Sequence, residues 1–170
     1  MKHLSLSHAD TRTRRRTCLN VLIACEESQA ECLAFRNLGH NAFSCDIQKC
    51  RLNPDWHILG DVTPFLKGQT TFTTQSGVQL SVPGWDLIIC HPPCTYLCKV
   101  SSVHLISRKA DKPQGDGWYY RSDIDAWFNR LRYRKLLRSR DFFMQCLNAK
   151  APYVAVENPL PMAIAQLPKP

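Results

Sequence analysis

A chain of 170 residues suits one domain with a substantial hydrophobic core. Its composition, 44% hydrophobic and 21% charged, is that of an ordinary globular protein, and no apolar run approaches the roughly 20 residues needed to span a bilayer. The formal charge of +8 at pH 7 favours polyanionic partners, because each phosphate neutralised by Lys or Arg releases counterions.

Residues 1–17 are polar and end in the basic run "RTRRR" at 12–16, without the apolar middle and small-residue cleavage site of a secretory signal. They read as a basic, flexible segment ahead of a single domain at 18–170. Nine cysteines (18, 25, 32, 45, 50, 90, 94, 98 and 146) are an odd count without a signal, which favours reduced thiols in a cytoplasm, most of them small core residues.

"NVLIAC" at 20–25 predicts a first strand, and "EES" a turn. Apolar positions at Ala30, Leu33 and Leu38 predict a helix that stops at Gly39. A second strand in "NAFSCDI" at 41–47 completes one βαβ unit. A third strand is expected at "HILGDV", 57–62, and a fourth at "WDLIIC", 85–90; between them "TTFTTQSGVQLSVPG" reads as a hairpin insertion. Two prolines in "HPPC" at 91–94 stop the fourth strand near His91 and hold the Cys94 thiol on a stiff turn. The polar stretch "SRKADKPQGDG" at 107–117 predicts a mobile loop. From Ser122, the spacing of Ile124, Trp127, Phe128 and Leu131, resumed at Leu136, Leu137, Phe142, Phe143 and Leu147, predicts a long amphipathic helix. Its basic run "RLRYRKLLRSR" at 130–140 suits a solvated face and nucleic-acid contact equally. "YVAVEN" at 153–158 predicts a fifth strand.

Alternating strands and helices predict an α/β fold, a mostly parallel sheet with helices on both faces. Ligands in such sheets bind beyond the carboxyl ends of the strands. That rule gathers Cys25 with Glu26, Asp46, Asp61, His91 to Cys94, and Glu157 with Asn158 into one crevice. Asp46 stands twenty residues after Glu26, the spacing at which nucleotide folds place an acid on ribose hydroxyls. The turn "ACEES" lacks the G-x-G-x-x-G that wraps a pyrophosphate, which disfavours NAD and FAD and leaves a phosphate-free ribose cofactor such as S-adenosylmethionine compatible. Asp61 suits an adenine amino group and a turn cap equally. A free thiol with a pKa near ~8.5 is a few per cent ionised at neutral pH and still nucleophilic when oriented, and Glu157 is expected beside Cys94 as an acid. The spacing of Cys90, His91, Cys94 and Cys98 fits neither the paired zinc pattern nor an iron–sulfur pattern, so no metal is expected.

"HPPC" at 91–94 is similar to the Pro-Cys nucleophile loop of the DNA cytosine carbon-5 methyltransferases, especially their short phage forms, and "VENP" at 156–159 to their Glu-Asn motif. "VLIACEES", "SCDI" and "GDV" match in the same order, so the resemblance covers roughly residues 20–160. It implies a Rossmann-like methyltransferase fold acting on cytosine in DNA, in a bacterial or phage-infected cell. Cys94, Glu157 and Asn158 would be catalytic, and Cys25, Glu26, Asp46, Asp61 and Pro92 would contact S-adenosylmethionine. Cys94 would add to carbon 6, Glu157 would protonate or hydrogen-bond ring nitrogen 3, and carbon 5 would take the methyl group; Pro92 and Pro93 would aim the thiol. A duplex substrate would have its cytosine flipped out. The chain departs from the family in "ACEES", in Thr95 where Gln is common, and in Pro159 after Asn158. It also ends at Pro170, before the family's later strands and target-recognition region, so the fold is expected to be incomplete there and recognition to come from a partner protein or a missing C-terminal segment. Two further readings compete: an amino-group DNA methyltransferase, whose Pro-Pro loop "HPPC" matches only at its centre, and a non-catalytic remnant binding S-adenosylmethionine or DNA.

Overall fold

The computed structural model describes residues 18–157 and 160–168; the basic run at 12–16 and Asn158 lie outside them. In chain order the elements are β1 (Asn20–Ala24), α1 (Ala30–Asn37), β2 (Asn41–Asp46), β3 (His57–Leu59), α2 (Thr63–Leu66), β4 (Thr71–Thr73), β5 (Gln79–Ser81), β6 (Leu87–Cys90), β7 (Ile106–Arg108), β8 (Trp118–Arg121), β9 (Ala126–Asn129), α3 (Arg130–Leu147) and β10 (Tyr153–Val156). Among the described residues no helix is long and apolar enough to cross a membrane.

Five strands form one sheet in the order β10-β6-β1-β2-β3, and every pair in it is parallel. The chain moves outward from β1 through β2 to β3, then returns to β1's other side with β6. This reversal between β1 and β6 is the topological switch point at which doubly wound sheets open a crevice. The expected α/β architecture and the first βαβ unit are both present, with Gly39 at φ +86° ending α1 in the left-handed conformation that glycine tolerates best.

Alternation along β1 distributes the core over two faces. Val21 and Ile23 are buried with Cys32 of α1 and Ala42, and Phe35 and Trp56 pack against them. On the opposite face Leu22 and Ala24 join Phe43, Ile58, Ile88 and Cys90 under α2, the β4–β5 hairpin, Trp85 and the end of α3. The hairpin insertion is thus a lid on the core, its Phe72 stacked 5.8 Å from Trp85 and edge-on to Phe43 at 4.8 Å.

Three expectations need correction. The strand at 57–62 ends at Leu59; Gly60 makes one last bond to Asp46 O, and Asp61 leads into the α2 turn. Ser107 and Arg108, assigned to a loop, belong to β7. The long helix from Ser122 begins only at Arg130, because residues 118–129 form the hairpin β8–β9, extended by β7 into a three-stranded antiparallel sheet. Tertiary packing decides that stretch. Ala126 and Phe128 are buried while Trp127 and Asn129 are half-buried, an alternation that suits a strand, and the Asn129 side chain accepts a hydrogen bond from the Arg132 N–H at 2.9 Å, which starts the helix. A separate core of Leu97, Leu105, Phe128, Leu136, Phe143 and Met162 fixes this small sheet to α3.

Candidate functional site

Backbone hydrogen bonds carry the parallel ladder one residue past each strand at its carboxyl end. His91 N–H donates to Ala24 O at 3.0 Å, Glu157 N–H to Cys90 O at 3.0 Å, Cys25 N–H to Cys45 O at 2.8 Å and Gly60 N–H to Asp46 O at 2.9 Å. The residues at which the strands stop are therefore stitched into one row along the crevice.

A cavity of about 230 Å³ opens beside this row, walled by Cys25, Asp46, Ile47, Asp61, Pro93 and Phe142 among others. Three of the five expected cofactor contacts, Cys25, Asp46 and Asp61, line it. Asp46 Oδ1 accepts from the Gln48 N–H at 2.8 Å, and Asp61 Oδ1 accepts from the Thr63 N–H and hydroxyl at 2.9 and 2.8 Å. Each acid thus holds a turn through one oxygen, and no hydrogen bond among the described residues engages the other. The remaining two do not line this cavity. Pro92 is buried beneath the turn and Pro93 forms the wall in its place. Glu26 turns away from this cavity and caps α1, accepting from the N–H groups of Glu31 at 2.7 Å and Cys32 at 3.3 Å. Burial pushes its carboxyl above the usual range, against the pull of those two donors.

A shallower recess of about 320 Å³ adjoins the cavity at Cys25 and is lined by Glu26, Glu27, Ser28, Glu31 and His91. His91 Nε2 lies 3.2 Å from Glu31 Oε1, linking the loop after β6 to α1. Cys25 occupies the hinge between the two spaces with φ +62°, a left-handed backbone in a residue other than glycine. Its thiol is pushed up to about 12, mainly by burial and further by Cys146, Asp46 and Asp61, so it stays protonated and neutral.

Cys94 and Glu157 stand on neighbouring strands' exits, since β10 pairs with β6 in the register Val156 to Cys90. The Cys94 thiol is half-buried at the start of a tight turn in which its carbonyl accepts from the N–H groups of Leu97 at 2.8 Å and Cys98 at 3.0 Å. Burial raises its pKa first, then the Cys98 thiol, and the Glu157 carboxylate is close enough to raise it further. Asn158 lies outside the described residues.

Sequence reasoning missed Gln29, fully buried at φ +61°. Its amide donates to Asn53 O at 3.0 Å and accepts from Asn53 N–H at 2.8 Å, clasping the loop after β2 to the start of α1. It also missed His57, fully buried, whose Nε2 donates to Gln48 O at 2.9 Å while Nδ1 accepts from the Ser44 hydroxyl at 2.8 Å. His57 thereby holds Gln48 at the cavity wall, while Gln29 holds Asn53 further along the same loop. A buried polar group with matched partners has no periodic signature in a sequence.

No protein-family model matches the chain significantly, and neither a curated protein nor a solved structure does.

Proposed function

We propose that the chain has an S-adenosylmethionine-dependent methyltransferase fold and transfers a methyl group to carbon 5 of cytosine in DNA. The observation that carries this reading is that Cys94 and Glu157 follow adjacent parallel strands, with the carboxylate near enough to raise the thiol's pKa, next to Pro93 in the wall of a cavity with two acids.

The cavity and recess suit the cofactor in character. A space of about 230 Å³ is small for a complete cofactor, but it continues past Cys25 into the recess. Asp46 and Asp61 would take the ribose and adenine end. The acid-rich recess of Glu26, Glu27 and Glu31 would favour a sulfonium and an ammonium group. S-adenosylmethionine supplies an electrophilic methyl there.

Residues of the chain do the rest. Cys94 adds through its sulfur to carbon 6 of the cytosine, and Glu157 gives a proton to ring nitrogen 3, which makes carbon 5 nucleophilic. The two roles are coupled: Glu157 must hold a proton before it can give one, and while it is protonated one cause of the raised Cys94 pKa is removed, so the thiolate becomes easier to form where it is needed. Methyl transfer leaves the cofactor as its thioether, S-adenosylhomocysteine; a solvent base then takes the carbon-5 proton, Cys94 departs as thiolate as the 5,6 double bond reforms, and nitrogen 3 returns its proton to Glu157.

The test is to incubate the protein with S-adenosylmethionine and DNA containing 5-fluorocytosine, whose fluorine blocks the last elimination, and to weigh the product. A covalent adduct formed by the wild type and absent from Cys94→Ala supports the mechanism; methyl transfer by Cys94→Ala refutes it. The second reading, a non-catalytic protein that binds the cofactor or DNA, is favoured by the raised Cys94 pKa, and cofactor binding with no adduct and no transfer would support it.

A further inference from the structure

We propose that the β7–β9–β8 sheet and the first turns of α3 form a groove for single-stranded DNA, holding nucleotides that flank the base reacting at Cys94. This deepens the functional reading above and rests on it only for the identity of the reacting base.

Two concavities make the groove. One of about 420 Å³ is lined by Tyr96, His104, Asp116, Trp118, Arg132 and Lys135. The other, about 580 Å³, continues past Trp118 and Leu131 to Tyr119 and Arg130. Each is large enough for a nucleotide-sized ligand. The first begins two residues after Cys94, at Tyr96, and Arg132 Nη2 donates to the carbonyl of the intervening Thr95 at 3.3 Å. A strand held in the groove therefore leads to the candidate nucleophile.

The side chains match a nucleic acid in kind. The Arg132 guanidinium lies 4.9 Å and the Lys135 ammonium 5.6 Å from the Tyr96 ring centre, which keeps both cations at the groove. Among the described residues Arg130, Arg132, Arg134 and Lys135 make no ion pair, and the Arg132 Nε is buried without a partner. The small sheet's own cations are paired, Arg108 with Asp111, Arg121 with Asp123 and Lys109 with Asp125. Trp118, half-buried, joins no aromatic pair and no cation stack among the described residues, unlike Trp127, which meets Tyr120 at 5.7 Å. Gly117 brings Trp118 against the helix. Its φ is +84°, and a Cβ there would come 2.8 Å from Leu131 Cγ.

A second, independent observation is a local rule broken at the same place. The first turn of α3 has no acid, and four cations fall in its first six residues, at the end where the helix dipole is already positive. A phosphate strand would offset that repulsion. An acidic peptide would match the cations but offers no flat ring to Trp118. Duplex DNA offers phosphates but keeps its base faces stacked, whereas a single strand presents both.

The experiment measures fluorescence anisotropy of a labelled 15-nucleotide single strand with the full chain, across a salt series and without cofactor. Trp118→Ala should bind roughly tenfold more weakly. Lys135→Glu, a change on an exposed helix position, should weaken binding and flatten the log–log salt slope by about 0.7 or more. Lys67→Glu, the same charge change just after α2, should leave binding within twofold of wild type, and melts by circular dichroism report that each variant is folded. The groove is overturned if folded Trp118→Ala and Lys135→Glu bind as the wild type does, if the matching duplex binds more tightly than the single strand, or if replacing Arg12, Arg14, Arg15 and Arg16 by Gln abolishes binding alone. Adduct formation that ignores groove variants sinks the groove and spares the methyltransferase reading; groove-dependent binding without adduct or transfer does the reverse.

Discussion

Replacing Phe128 by alanine should detach the small sheet from α3 while leaving the parallel sheet folded. Phe128 is 2% exposed, its ring 5.8 Å from Tyr119 and 5.2 Å from Tyr133 in edge-on contact, with the Arg121 guanidinium 5.3 Å from its centre. An aromatic side chain of this kind takes roughly 150–250 Å² out of water, worth about 4–6 kcal/mol at ~25 cal/mol per Å². The alanine methyl restores about 1 kcal/mol and the two lost ring pairs remove about as much, so the cost is about 4–6 kcal/mol, at the upper end of the range for such truncations. Because Leu105, Leu136 and Phe143 form a core separate from that around Trp85, the loss should be local. Hydrogen exchange read by mass spectrometry should quicken at Ile106–Arg108 and Trp118–Asn129 with β1 and β2 still protected, and the melting temperature of that unit should fall by about 10 °C. A variant whose exchange and melting match the wild type would show that Phe128 does not anchor the sheet, and the proposed groove would lose its scaffold.

Gln29→Ala leaves the N–H and C=O of Asn53 without their amide partner and should cost about 2–4 kcal/mol, seen as a lower urea midpoint; a loss below about 0.5 kcal/mol would mean water replaces the clasp. Glu157→Gln removes a charge that raises the Cys94 pKa, so iodoacetamide should label Cys94 faster at pH 7, followed by peptide mass mapping; an unchanged or slower rate refutes the closeness of the pair. Burial, ahead of any other cause, lowers the His57 pKa below its ordinary 6.5. The unfolded chain then binds the extra proton first, so the contribution of His57 to stability is whole above about pH 6.5 and is lost as pH falls through the folded value. Urea midpoints measured from pH 7.5 to 5 should fall more steeply for the wild type than for His57→Gln, and parallel curves would contradict the neutral, buried assignment.

The parallel sheet was legible because its strands are short β-rich apolar runs, "NVLIA" and "LIIC" above all, that need only one interpretation. Cys25, Asp46, Asp61, Cys94 and Glu157 followed from the rule for strand ends, without any contact being known. The stretch 118–129 was not legible for a physical reason. Ile124, Trp127, Phe128 and Leu131 fit a helical stripe, yet Ala126 and Phe128 equally fit a strand, and the choice depends on Phe128 meeting Tyr133 and Phe143 from elsewhere in the chain. The exchange of Pro92 for Pro93 in the cavity wall is the same problem at the scale of one residue. Where a strand stops decides which of two consecutive side chains faces the crevice.

Phe142 and Phe143 are neighbours in sequence that serve different cores, the first packing toward the parallel sheet and the second toward the small one. The same helix touches both candidate sites: Arg132 walls the groove, and Phe142, ten residues on and about 15 Å along the axis, walls the cavity with Asp46 and Asp61. The 18-residue helix thus joins the two candidate sites through one rigid element. If filling the groove tilts α3, the affinity of the cavity changes by some factor, and filling the cavity must change the affinity of the groove by the same factor. The order in which the two are occupied then alters the route but not the final free energy.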